Sequence, residues 1–76
     1  MDIEALANLA HEQWSGWMEY LFEKSTKNTD GTVTIPKWAV DRWKKQMTTP
    51  YAELTEEEKE SDRVEARKML SLNTGR

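Results

Sequence analysis

Seventy-six residues make one small domain, with 37% of them hydrophobic and 33% charged. A net charge of −3, from 11 basic and 14 acidic residues, argues against long nucleic acid or a polybasic membrane contact, both of which need a basic footprint. The absence of cysteine removes disulfides, thiolate metal sites and cysteine nucleophiles. No stretch approaches 18 apolar residues and the N-terminus reads as no secretory signal, so a soluble cytoplasmic protein is expected. A chain of this size buries only about 60% of its unfolded surface, so its interior is thin. Four Trp, two Tyr and one Phe must therefore divide between core and contact surface.

In chain order, Ile3, Leu6, Ala10, Trp14, Trp17 and Leu21 recur at spacings of three and four, with Ala7, Met18 and Phe22 widening the stripe. That period predicts a helix over about 3–24, capped by Asp2 and buried along this face. Gly16 sits inside it, where a glycine costs about 1 kcal/mol against alanine. His11 lies at the border of the stripe, beside Trp14. It reads either as a ligand-facing side chain or as a locally bonded one. His11-Glu12 opens like a zinc-hydrolase helix, but position 15 is Ser and the chain has no second His, so a metal site of that kind cannot be assembled.

Residues 25–34 are rich in Thr, Asn, Asp and Gly and read as a loop, with a tight turn at Asp30-Gly31 and a short extended piece over 32–35. The segment also has the rhythm of a degraded EF-hand, with Asn28, Asp30 and Gly31 at the third, fifth and sixth positions. Thr26 at the first and Lys37 at the twelfth leave it without the carboxylates a cation needs. No metal and no cofactor are expected.

A second helix over about 36–47 starts at Pro36. Its buried face is Val40, Trp43 and Met47, with Ala39 at the edge. Trp38 lies about 160° round the axis from Val40 at 100° per residue, on the same side as Arg42. An indole beside a guanidinium can stack on a planar anion or grip a partner. Pro50 closes this helix, and Tyr51 and Leu54 read as plugs into the core. Thr55 to Glu58 forms a capping box opening a third helix over about 56–72. The acidic run 56–58 suits its positive end. Its apolar residues scatter round the axis, which suggests a second neighbour such as an oligomer partner. Lys59, Arg63 and Arg67 form a row of like charge that either is offset by nearby Glu or binds an anion.

The sequence thus predicts an all-α three-helix domain with a helix–loop–helix N-terminal half. Leu9-Ala10-His11-Glu12-Gln13-Trp14, then Trp43, then Pro50-Tyr51-Ala52-Glu53-Leu54 leading into the charged run 55–63, resembles the RyR domain, the small helical repeat of ryanodine receptors that also occurs in short bacterial and phage proteins. Where that family carries Gly-Trp-x-Tyr-Gly, this chain has Arg42-Trp43-Lys44-Lys45-Gln46, and residues 17–41 have no clear counterpart. The resemblance implies a standalone phage or bacterial module. A phage copy without an effector domain would act as a sponge for a host immune nucleotide.

Enzymatic chemistry is not expected from one His and no Cys. The leading expectation is a non-catalytic module for a planar, anionic ligand such as a nucleotide. Trp38 and Trp14 would supply aromatic surface, Arg42 and Arg63 would hold phosphate, and His11 and Tyr51 would make polar contacts, with the pocket formed between protomers. The alternatives are a small acidic inhibitor that grips a host protein through Trp38, and a virion or assembly factor.

Overall fold

The computed structural model describes residues 2–74. Three helices carry the fold: α1 (Ile3–Lys24), α2 (Lys37–Met47) and α3 (Glu56–Thr74). Each begins where the local chemistry demands. The Asp2 carboxylate accepts from the Glu4 N–H at 3.1 Å and caps α1. Pro36, extended at φ −66° and ψ 154°, leads into α2. The expected capping box is formed at α3: Thr55 N–H donates to Glu58 Oε1 at 3.1 Å, and Glu58 N–H donates to Thr55 Oγ1 at 3.2 Å. A single 3₁₀ turn, Tyr51–Glu53, bridges α2 and α3.

The connection from α1 to α2 is a small hairpin rather than an open loop. Strands β1 (Thr26–Lys27) and β2 (Val33–Thr34) pair antiparallel. Gly31 takes φ +90°, a conformation that strains residues with a Cβ, which is why glycine stands at the turn. Asn28 and Asp30 serve the hairpin itself: Asn28 Nδ2 donates to Thr32 Oγ1 at 2.9 Å and to Thr34 Oγ1 at 3.1 Å, and Asp30 Oδ1 accepts from Thr32 Oγ1 at 2.6 Å. Those bonds hold the Asp30 pKa below the usual carboxylate range, the Thr32 hydroxyl being the largest cause.

Packing is sparse. Among the described residues, Leu9 and Ala39 are the buried apolar side chains, and Ser25 is buried with its hydroxyl donating to the Leu21 carbonyl at 2.7 Å. α1 meets α2 through the Tyr20 and Trp43 rings, and a second ring contact lies within α2. Tyr20 lies 6.0 Å from Trp43, and Trp38 meets Trp43 edge-on at 6.3 Å and 66°, both within the range of favourable aromatic pairs. α3 lies along α1, where Gln13 Nε2 reaches the Glu65 carbonyl at 3.5 Å. A Cβ built on Gly16 would meet nothing within 4 Å, so no close approach of another backbone explains that glycine.

Several expected core positions are not in the core. Trp14 is 58% exposed and Trp17 46%, so the α1 stripe faces largely outward. The reason is geometric: α3 packs on the side of α1 that carries Leu9 and Gln13, which lies to one flank of the stripe. Met47 is 78% exposed at the end of α2, while Ala39 takes the deep position assigned to the edge of that helix. Tyr51 is also exposed, its ring covered by Lys59 Nζ at 5.8 Å, and Leu54 alone of that pair is half-buried.

Trp43, at the centre of the ring contacts, is the most consequential single aromatic. Trp43→Ala is expected to destabilise the chain by about 2 kcal/mol in urea unfolding, less than the 3–5 kcal/mol of a fully buried ring. Trp38→Ala is expected to cost under about 1 kcal/mol, as its ring has one aromatic neighbour and a solvent face.

Candidate functional site

Two concavities lie side by side. The smaller is a groove of about 440 Å³ between α2 and the 51–58 segment. Trp38 forms its wall with 49% of the residue exposed, and Arg42 and Lys45 lie along it. Residues 38 and 42 share this side because they are four apart on α2. Among the described residues, neither Arg42 nor Lys45 has a carboxylate within ion-pair distance, whereas Asp41 is held by Lys37 at 2.7 Å. Glu53 and Glu58 close the far side of the groove.

The larger is an open cleft of about 1200 Å³ bounded by all three helices. Trp17, Tyr20, Leu21 and Trp43 give it an apolar and aromatic floor. Its rim is acidic. Six carboxylates (Glu12, Glu57, Glu58, Glu60, Asp62 and Glu65) line it against two cations, Arg42 and Lys68. Glu65 is the tightest of these: Oε2 accepts from Lys68 Nζ at 3.2 Å, while Oε1 is buried without a hydrogen-bond partner.

The residues singled out from sequence fall into separate places. Trp38 and Arg42 share the groove, and Arg42 and Tyr51 share the cleft. His11 stacks on Trp14 at 6.0 Å and 24°, on the exposed stripe of α1 and outside both concavities. Arg63 lines neither concavity. Its guanidinium donates to Glu56 at 3.3 Å and Glu60 at 3.4 Å, and the Glu56 bond, with Tyr51 and Glu60 adding, raises its pKa further. The like-charged row of α3 is therefore neutralised within the helix: Arg67 bonds Glu60 at 2.9 Å and Lys59 faces Glu56 at 3.9 Å. A phosphate at Arg63 would compete with two carboxylates already in place.

The acidic rim was missed at the level of sequence because the carboxylates of α3 read as a helix start and a solvated face. The signal that could have revealed it is the missing apolar stripe of α3: a helix with no greasy side turns charge toward its neighbours.

No protein-family model matches this chain, and neither a curated protein nor a solved structure matches it.

Glu60 carries a pH signature. The Arg67 hydrogen bond first, and the charges of Arg67 and Arg63 after it, lower its pKa. A lowered folded-state value means the contribution to stability is present above the ordinary glutamate pKa of about 4.3 and is lost as pH falls through the depressed value. Helicity followed by circular dichroism in low salt should fall over that acid window. Arg67→Gln should reduce stability at pH 7 and shrink the difference between pH 7 and the acid limb, and salt should blunt both effects because the groups are exposed.

Proposed function

We propose that the chain is a non-catalytic binding module whose ligand is a protein segment carrying basic side chains beside apolar ones. One observation carries this reading: the larger of the two concavities combines an aromatic floor with six carboxylates against two cations. Four of these carboxylates, Glu12, Glu57, Glu58 and Asp62, have no ion-pair partner among the described residues and leave the rim net negative, which attracts cationic partners and speeds their encounter. The floor of Tyr20 and Trp43 offers ring types that dominate binding hot spots. An amphipathic basic helix presents the complementary pattern, apolar on one side and positive on its flanks. The proposal includes no catalytic step, and the single His11 stacks on Trp14 outside both concavities. A cytoplasmic site of action belongs to the same proposal. Among the described residues no helix is long and apolar enough to cross a membrane.

A second reading has its own observation. The half-exposed Trp38 ring shares a groove with Arg42 and Lys45, both without a carboxylate partner. That is a stacking surface beside two cations, suited to a planar anion such as a nucleotide. The resemblance to the RyR repeat, and with it the sponge for a host immune nucleotide, attaches to this groove. The acidic cleft next to it works against the phosphate charge, which places this reading second.

Titration calorimetry separates the two. An amphipathic Lys-Leu helical peptide is expected to bind the chain, to bind less tightly as salt rises, and to lose at least tenfold in affinity in a Glu57→Lys, Asp62→Lys double variant. Trp38→Ala is expected to leave that binding within about threefold. Peptide that fails to bind, or binds the double variant equally well, would contradict the first reading. A cyclic or linear nucleotide that binds and is lost on Trp38→Ala, but not on the acidic double change, would establish the second in its place.

A further inference from the structure

The apolar positions Ile3, Ala7, Ala10, Trp14, Trp17 and Leu21 alternate spacings of four and three without a break. That is a heptad seam with a 3.5-residue repeat, the pattern by which one helix pairs with another along its length. The seam spans about 27 Å of α1 at 1.5 Å per residue. The fold gives it no full partner. Ile3 is 71% exposed, Ala7, Ala10, Trp14 and Trp17 are exposed, and Leu21 is half-covered.

We infer that a second copy of this chain covers this seam, with the two α1 helices antiparallel. The amount of open surface is the first argument. The chain exposes 6238 Å², whereas a compact protein of 8.9 kDa exposes about 4,800 Å² by size scaling, an excess of about 1,400 Å². The Cα radius of gyration is 15.5 Å, against about 11 Å for a compact chain of this length. A standard protein interface removes about 800 Å² from each partner, so the excess is large enough to hold a stable dimer contact.

The second argument fixes the direction. Going along the seam, the small residues Ala7 and Ala10 come first and the rings of Trp14 and Trp17 follow. Antiparallel pairing about a two-fold axis near residue 12 sets Ala10 against Trp14, Ala7 against Trp17 and Ile3 against Leu21. Every layer then joins a large side chain to a smaller or branched one, which fills space evenly. Parallel pairing would set Trp14 on Trp14 and Ala10 on Ala10, giving overfilled layers beside empty ones. The third argument is charge. Glu12, Glu19 and Glu23 lie on the opposite side of α1 at 100° per residue, so two acidic chains approach here without facing carboxylates. Antiparallel helices also oppose their dipoles.

The full chain in sedimentation velocity is expected to run at twice 8.9 kDa. Ala10→Trp sets ring against ring and should weaken the dimer at least tenfold. The exchange Ala10→Trp, Trp14→Ala should restore it, with circular dichroism showing that each variant keeps its helices. Direction is read by cross-linking, which the cysteine-free chain makes clean. Ala10→Cys mixed with Trp14→Cys should form a mixed disulfide, while Ala10→Cys alone should not cross-link, its two copies being too far apart for an S–S bond. A monomer at every concentration up to millimolar, a dimer indifferent to Ala10→Trp, or efficient cross-linking of Ala10→Cys alone would overturn the inference. Trp38 lies outside the seam, so Trp38→Ala should stay dimeric, and failure here leaves the cleft reading to its own test.

Discussion

The constraint that shapes this molecule is a surplus of aromatic surface over available interior. Leu9 and Ala39 are its buried apolar side chains among the described residues, and neither is large. Cohesion between α1 and α2 therefore falls to the pair Tyr20 and Trp43, with Trp38 bracing Trp43 from within α2. Aromatic pairs of this kind contribute about 0.5–1.5 kcal/mol each beyond burial. That is enough to orient two helices, and it leaves the remaining indoles of α1 without cover. The shape follows, a plate of 47 × 32 × 16 Å rather than a sphere.

The third helix obeys a different rule. It has no apolar side to bury: a capping box and ion pairs along its own surface hold the helix together, while packing along α1, with one long hydrogen bond there, sets its position. Exposed ion pairs are weak individually, about 0–1 kcal/mol. A helix packed along α1 in this way leaves the cleft toward α2 open. Its carboxylates then face that cleft, because they lie on the side nearest α1 and α2. Thin packing and the acidic rim have the same cause: a helix too polar to close over the rings beneath it.

Local chemistry was legible in the sequence. The helix starts at Asp2, Pro36 and Thr55 follow from capping and proline stereochemistry, and they stand where those residues put them. The three-helix, all-α class follows from the same signals. That Trp38 and Arg42 share one side of α2 follows from 100° per residue, whereas the exposure of Trp38 was left open by the sequence. What periodicity could not convey is which neighbour a stripe faces. The stripe of α1 is real, but α3 chose the flank at Leu9 and Gln13, so Trp14 and Trp17 turned outward. His11 was drawn toward the candidate site by its place beside Trp14 at the stripe border, and Arg63 by its place in the like-charged row of α3. A stacking partner three residues along α1, and two glutamates one and two turns back along α3, hold them elsewhere.

On the proposed pairing of two copies, sealing the surplus rings falls to association, and heat unfolding as a function of protein concentration tests that most directly. If the protomer is completed by a partner copy, its midpoint must rise with concentration by mass action. A midpoint that stays constant across a hundredfold dilution, with the Trp emission of a sealed interior, would mean that a lone chain closes over its own aromatics and that the open plate is not its state in solution.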